Sequence, residues 1–329
     1  MTAVAPVLQS FFTERLMTQR KASPHTITAY RDAFRLLLGF ASDHTAIKPN
    51  ALDLADLDAP FISAFLDHLE HERGNSIRTR NARLAAIHSL FNYAALRHPE
   101  HAASIKRVLA IPPKRYERNL LTYLTDPEAD ALLAACDRTT WTGRRDHAML
   151  ALTLQTGLRV SELTALTLAD LHLGDGPNVH CVGKGRKERR TPLLPATVAV
   201  MRVWLDERQG HGHEPLFSTS TGRHLSRDAV ERRITLYSGR AAERCPSITA
   251  KHPTAHTLRH TAAMRLLLSG VDVTVIALWL GHEQVGTVQH YLHADMTQKE
   301  RAIAKTTPPG TKPGRYHAPD PLLAFLEAL

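Results

Sequence analysis

Six side chains between residues 159 and 291 combine into a set able to move a phosphoryl group. Arg159 lies in Thr156-Gly-Leu-Arg-Val-Ser-Glu162, and Lys184 in Val182-Gly-Lys-Gly-Arg186-Lys187-Glu-Arg189-Arg190. His256 and Arg259 lie in His-Thr-Leu-Arg-His260, His282 in Leu280-Gly-His, and Tyr291 in His290-Tyr-Leu-His293. Each segment taken alone has a plain reading. Arg159 with Glu162 three residues on is a surface ion pair as readily as an anion ligand. The Gly-Lys-Gly turn is a solvated basic loop as readily as a phosphate contact, and it lacks the GxxxxGK[ST] spacing of a P-loop. Tyr291 fits amphipathic helix packing as well as nucleophilic chemistry. His256 and His260 have the i, i+4 spacing of metal ligands. However, Thr257 stands where HExxH requires glutamate, and Arg259 between them repels a cation. The company changes the reading. Phosphoryl transfer needs a nucleophile, cations for the non-bridging oxygens and an acid for the leaving oxygen. The six residues supply all three without a metal or other cofactor.

Helices must carry most of these groups. In the first third, Ser23-Pro24 is an N-cap followed by proline at the first helical position. Behind it Ile27, Tyr30, Phe34, Leu37, Leu38 and Ala41 recur at helical spacing, as do Phe61, Phe65 and Leu69. Ile77, Leu84, Ile87, Leu90, Phe91 and Ala94 mark a longer helix, so four short helices make a bundle over residues 1–110. Ile111-Pro112-Pro113-Lys114-Arg115 cannot continue a helix, and an extended linker is expected over 111–118. The segment 119–305 reads as mixed α and β. Pro127–Ala135 and Asp146–Leu154 are helical, the latter stopping at Gly157. Val179–Val182 and Arg190–Leu194 are short strands around the Gly-Lys-Gly turn. Val200–Leu205, Asp228–Leu236, His260–Leu268 and Val273–Leu280 return to helical spacing. Residues 306–329 form a spacer and a short apolar helix containing Leu322, Leu323, Phe325, Leu326 and Leu329. No internal repeat is visible.

Composition narrows the partners. The chain has 329 residues, enough for two domains with buried cores, and 41 Lys+Arg against 32 Asp+Glu give a formal charge of +9. That balance favours a polyanionic partner such as nucleic acid. Cys136, Cys181 and Cys245 are widely spaced and form no CxxC pair, which disfavours a disulfide framework and fits a reducing compartment. The start of the chain lacks the pattern of a secretory signal, and no apolar run reaches the length of a membrane span, so a cytoplasmic location is expected.

The segments GLRVSEL, VGKGRKERRTPL, HTLRH and LGH and the tyrosine that follows, in this order and spacing, resemble the tyrosine recombinases (phage integrases), and within them the Xer-like branch. The resemblance covers nearly the whole chain. It implies an N-terminal SAM-like four-helix core-binding bundle before a mixed α+β catalytic domain with a small antiparallel sheet. It implies that Tyr291 attacks a scissile DNA phosphate to give a 3′-phosphotyrosyl bond, while Arg159 and Arg259 clamp the non-bridging oxygens. Lys184 then protonates the leaving 5′-oxygen, His256 assists proton transfer at the tyrosine, His282 hydrogen-bonds the phosphate, and Glu162 supports an arginine. Double-stranded DNA is the implied partner. Arg78, Arg80 and Arg83 at the start of one helix, with Arg186 and Lys187, are candidate contacts to it, although a solvated basic face accounts for the first three equally well. The spacer over 306–314 spans roughly 30 Å when extended, enough for the terminal helix to dock on a neighbouring copy in a dimer or tetramer on DNA. Docking on its own domain is the alternative, and a second recombinase is a possible partner. A type IB topoisomerase uses similar groups, and a DNA-binding accessory protein or a zinc hydrolase are the further rivals. The first bundle and the GLRVSEL and LGH contexts favour recombination over relaxation. No extra N-terminal arm-binding domain is evident, which favours a simple Xer-like or mobile-element enzyme.

Overall fold

A computed structural model describes residues 2–116, 121–183 and 188–281. The chain divides into two compact units, Met1–Arg118 and Asn119–Leu329.

In the first unit, α1 (Val4–Ser10) runs on as a π-helical stretch, Phe11–Gln19. It is followed by α2 (Pro24–Thr45), α3 (Ala59–His71), α4 (Ile77–Ala95) and α5 (Ala102–Leu109). Three of these starts are written in the sequence. Ser23, Asp58 and Ser76 each accept the backbone N–H three residues on, and proline occupies the first turn of α2 and α3. Phe34, Leu37, Ile62, Phe65, Leu69, Leu84, Ile87 and Phe91 fill one core. Phe11 meets Phe34 and Tyr93 edge-on, at 6.1 and 5.6 Å between ring centroids. Residues 111–116 have no regular secondary structure, as tandem prolines require. They are nevertheless fastened to α4 and α3. The Asn81 amide donates to Lys114 O (2.8 Å) while its Oδ1 accepts from Lys114 N (3.1 Å), and Lys114 Nζ pairs with Glu70 at 2.8 Å.

The second unit begins with α6 (Asp126–Ala134), α7 (Trp141–Thr156) and the short α8 (Val160–Ala165). A three-stranded antiparallel sheet follows in the order β1 (Leu171–His172), β2 (Asn178–Val182), β3 (Glu188–Pro192). Its register pairs His180 with Arg190 and Val182 with Glu188. β3 starts two residues before the expected Arg190 and stops at Pro192, because Leu194 is already the N-cap of α9 (Pro195–Arg208). α10 (Arg227–Ala241), α11 (Ala255–Leu268) and α12 (Val273–Leu280) complete the described residues. α11 opens at Ala255 rather than His260, because Thr254 and Thr257 form a reciprocal capping box that fixes the earlier start. α7 is central and packs on α9 and α11. Leu152, Leu158, Leu163, Val179, Met201, Trp204, Ile234 and Leu258 fill the main core, and Trp204 donates its indole N–H to Leu216 O at 2.9 Å. No described helix is long and apolar enough to cross a membrane.

Candidate active site

Two glycines at helix ends bring the predicted arginines together. α7 ends at Gly157 and α12 at Gly281, both left-handed with φ of +65°. Each turn aims carbonyls at a guanidinium group. Arg259, on the buried face of α11 and 2% exposed, donates Nη1 to Gly157 O at 2.6 Å and Nη2 to Leu280 O at 2.7 Å. Arg159 donates Nη2 to Gly281 O at 3.3 Å. The space is closed around both turns. A Cβ at Gly157 would lie 2.6 Å from Leu280 Cδ2, and one at Gly281 would lie 2.8 Å from Nη1 of Arg189.

Glu162 is the hub. Arg159 is the N-cap of α8 and Glu162 its N3 residue, so the backbone N–H of Arg159 reaches Glu162 Oε2 at 2.8 Å while its Nη1 reaches Oε1 at 2.8 Å. Arg189 approaches from β3 and grips the same two oxygens, Nη1 to Oε1 at 3.0 Å and Nη2 to Oε2 at 2.8 Å. Arg259 Nη1 stands 4.0 Å from Oε2. Burial alone would raise the Glu162 pKa, but the bonds and charges from Arg189 and Arg159 outweigh it and hold the carboxyl below its ordinary range. One buried carboxylate thus lies against three guanidinium groups. Arg159 keeps about a third of its side chain exposed, at 34%. The cluster is therefore built to present positive charge to an anion from a position that does not relax.

His256 lies at the surface in the first turn of α11, its ring 4.2 Å from that of His260 in an edge-on contact. Desolvation, then the charges of Arg259 and Arg159, push its pKa below the usual histidine value, against a smaller pull from Glu231. Both effects favour the neutral form, which is the one able to accept a proton. Thr257, at the position where a zinc-binding helix needs glutamate, is committed to the capping box with Thr254. Among the described residues no group of three or more His, Cys, Asp and Glu is placed to hold a metal.

Two thiols and one phenol of this unit are suppressed as nucleophiles. Burial pushes the Cys136 thiol to about 12 and the Cys181 thiol to about 11. Tyr237 is buried, donates to Asp146 Oδ2 at 2.8 Å, and is raised above the ordinary phenol range.

Arg159, Glu162 and Arg259 are thus brought together from two separated segments, with His256 three residues before Arg259 on α11. Lys184, Arg186, Lys187, His282 and Tyr291 lie outside the described residues, as does the expected C-terminal helix. Arg189 is not among the site residues expected from the sequence, where it is one more charge in the basic segment around the Gly-Lys-Gly turn. The signal for it is the period of two in β3, which puts Arg189 on the same side as buried Thr191, while Glu188 and Arg190 face out.

In the first unit the three candidate DNA-contacting arginines part company. Arg78 is exposed, its guanidinium 5.5 Å from the Tyr116 ring centroid, and Arg83 is half-buried. Arg80 is only 5% exposed and donates Nη1 to Asn81 Oδ1 at 3.2 Å and to Pro112 O at 3.4 Å. This corrects the expectation that all three form one DNA-facing surface. Arg80 stands four and seven residues before Leu84 and Ile87 on the inner stripe of α4, where it holds the proline segment instead.

A helical bundle, then a helix-rich unit with a small antiparallel sheet and a buried arginine–carboxylate cluster, define the class of a tyrosine recombinase. Residues 122–298 match the phage integrase family and residues 10–98 match the phage integrase N-terminal SAM-like domain. The chain belongs to the phage integrase family. It is 53% identical to integrase/recombinase y4rC of Sinorhizobium fredii, over 99% of this chain and 98% of the relative. It is 33% identical to the tyrosine recombinase XerC of Pelobacter propionicus, over 92% of this chain and 95% of that one. The fold is shared with the Tn1549 transposon integrase in complex with transposon right-end DNA (TM-score 0.72, 15% identity, 93% of this chain and 99% of that one). It is shared also with the XerH recombinase bound to its difH substrate in a post-cleavage complex (TM-score 0.68, 21% identity, 87% and 81%). The chain is a tyrosine recombinase, an enzyme that transfers DNA strands without a metal.

Proposed function

We propose that this chain binds double-stranded DNA as a site-specific recombinase of Xer-like or mobile-element type, with Tyr291 as nucleophile. In this reading the Tyr291 oxygen attacks the scissile phosphorus and the bond to the 5′-oxygen breaks, leaving a 3′-phosphotyrosyl bond. His256 takes the phenolic proton, and Lys184 gives one to the departing 5′-oxygen. The phosphodiester carries one negative charge and the pentavalent transition state two. Arg159 and Arg259, with a hydrogen bond from His282, therefore bind the transition state more strongly than the ground state. The 5′-hydroxyl of a partner strand reverses the step. The phosphotyrosyl bond conserves the diester energy, so neither ATP nor another cofactor enters.

The observation that carries the reading is the Glu162-held arginine cluster at the Gly281 turn, immediately before His282 in the chain. The downward push on the His256 pKa from desolvation and then from both arginines supports its role as proton acceptor. Likeness to y4rC and to XerC supports the Xer-like or mobile-element assignment. Arg78 and Arg83, together with Arg186 and Lys187, are assigned to DNA contact. The core-binding domain is assigned to residues 1–110, the linker to 111–118, the catalytic domain to 119–305 and the spacer with its terminal helix to 306–329. The working unit in this reading is a homodimer or tetramer on DNA, with the terminal helix docking either on a neighbouring copy or on its own domain, and it acts in the cytoplasm.

Covalent trapping tests this. Purified protein is mixed, without metal or ATP, with nicked duplexes drawn from DNA flanking its own gene. A denaturation-resistant adduct that disappears in Tyr291→Phe is the expected result. Tight binding with no adduct on any duplex would favour an accessory DNA-binding role instead.

A further inference from the structure

Arg189 touches both of the features that hold Arg159. Its two terminal nitrogens occupy the same Glu162 oxygens that receive the Arg159 guanidinium and backbone N–H. Its guanidinium also packs on the Gly281 turn, where a Cβ would lie 2.8 Å from its Nη1, and the carbonyl of that turn receives Arg159 Nη2. The side chain is only 11% exposed, and its Nε has no hydrogen-bond partner among the described residues. Those contacts are costly for an ordinary surface strand, where a charge faces solvent and is worth little. β3 also begins at Glu188, directly after the Lys184–Lys187 segment in the chain.

We infer that Arg189 is a positioning residue for strand transfer: through Glu162 and the Gly281 turn it fixes the Arg159 guanidinium, and it ties β3, which follows Lys184–Lys187 in the chain, to the same carboxylate. This rests on the strand-transfer reading above. Arginine is required because a planar fork grips both carboxylate oxygens at once, whereas a lysine ammonium grips as a point charge. The three guanidinium groups also repel one another across Glu162. Arg159, which is 34% exposed, therefore carries positive charge that the single Glu162 carboxylate does not neutralise and that a bound anion would.

The test uses the full-length chain and a duplex on which the wild type forms the covalent adduct. Arg189→Gln is expected to bind that duplex within about threefold of wild type, because Arg189 does not reach DNA in this assignment. Adduct formation is expected to slow by about 10²-fold, the scale set by a misplaced catalytic group. Arg189→Lys, which keeps the charge on Glu162, should slow about 10-fold. Thermal melting of both variants reports whether the unit is folded, and Arg189→Lys carries the test if the glutamine variant is not. A second substrate separates positioning from general weakening. A methylphosphonate at the scissile position removes one negative non-bridging oxygen, so its reaction depends less on a correctly aimed guanidinium. If Arg189 acts through Arg159, the defect shrinks at least severalfold on the methylphosphonate. Equal defects on the two substrates, or wild-type rates in both variants, would overturn the assignment. A wild-type chain that forms no adduct on any duplex overturns the strand-transfer reading itself, a separate result.

Discussion

Replacing Glu162 with glutamine should be strongly destabilising to the second unit. Each carboxylate oxygen accepts two donors: Oε1 from Arg159 Nη1 and Arg189 Nη1, Oε2 from Arg159 N and Arg189 Nη2. Whichever way the amide turns, its NH₂ faces two donors and two charge-assisted bonds are lost. Such bonds are worth about 1.5–3 kcal/mol each. The guanidinium groups of Arg189 and Arg259 also remain buried without their carboxylate, and breaking a buried pair from one side costs about 3–5 kcal/mol. We take about 3–5 kcal/mol as the whole, because the two figures count the same loss. For a unit of this size that is a fall in Tm of about 6–20 °C, readable by calorimetry. The exposed pair Arg31–Asp32 is the control, since Asp32→Asn there should change stability by less than about 0.5 kcal/mol. The pH dependence has a fixed sign. The folded Glu162 pKa is depressed, so its stabilisation is present above the ordinary glutamate range and is lost as pH falls through the folded value. The gap between wild type and Glu162→Gln should therefore be widest near neutrality and narrow in acid. A glutamine variant that melts within a degree of wild type at pH 7 would refute the hub argument, as would a gap that widens as pH falls.

Other expectations follow from single contacts. Gly157→Ala combines a left-handed backbone with a Cβ 2.6 Å from Leu280 Cδ2, and about 2–5 kcal/mol should be lost in urea denaturation. Gly176→Ala, equally left-handed at φ +67° but with open space around it, should lose only about 1–2 kcal/mol; equal losses would remove the packing argument. Lys251→Met should lower Tm at pH 7, because desolvation that would raise the Glu128 pKa is outweighed by bonds from Lys251, Ser247 and Thr125, which hold it at about 2. That loss should fade as pH falls from 4.5 toward 2, where wild type also gives up the carboxylate. In the first unit, Arg80→Gln should destabilise by about 1–3 kcal/mol through its buried bonds. Arg78→Gln should instead leave Tm unchanged and reduce the salt slope of DNA binding by about one. Exchange of these two phenotypes would contradict the burial seen here.

Most of the helices were legible because their signals are local. Ser23-Pro24 caps a helix within its own first turn, Gly157 stops one by adopting a left-handed conformation open to glycine, and Phe61, Phe65 and Leu69 mark another by spacing alone. The order of GLRVSEL, HTLRH and LGH likewise identified the family before any coordinate was known, since residue type and spacing persist along the chain. Burial was not legible in the same way. Arg78, Arg80 and Arg83 look alike as letters, and only the packing of α4 against the core and the proline segment puts Arg80 inside. Two-residue β1 carried no periodic signal, and Arg189 read as one more basic residue in a basic run. What the sequence by itself determined is the set of groups available for chemistry and the helices that carry them, because propensity, capping and periodicity act over a few residues. What only the tertiary structure decided is that Arg189, 27 residues from Glu162, and Arg259, 102 residues from Gly157, converge on one carboxylate and two glycine turns. Contacts between segments so far apart arise from how the helices and sheet pack to bury charge without leaving it unpaired, and no local pattern records that.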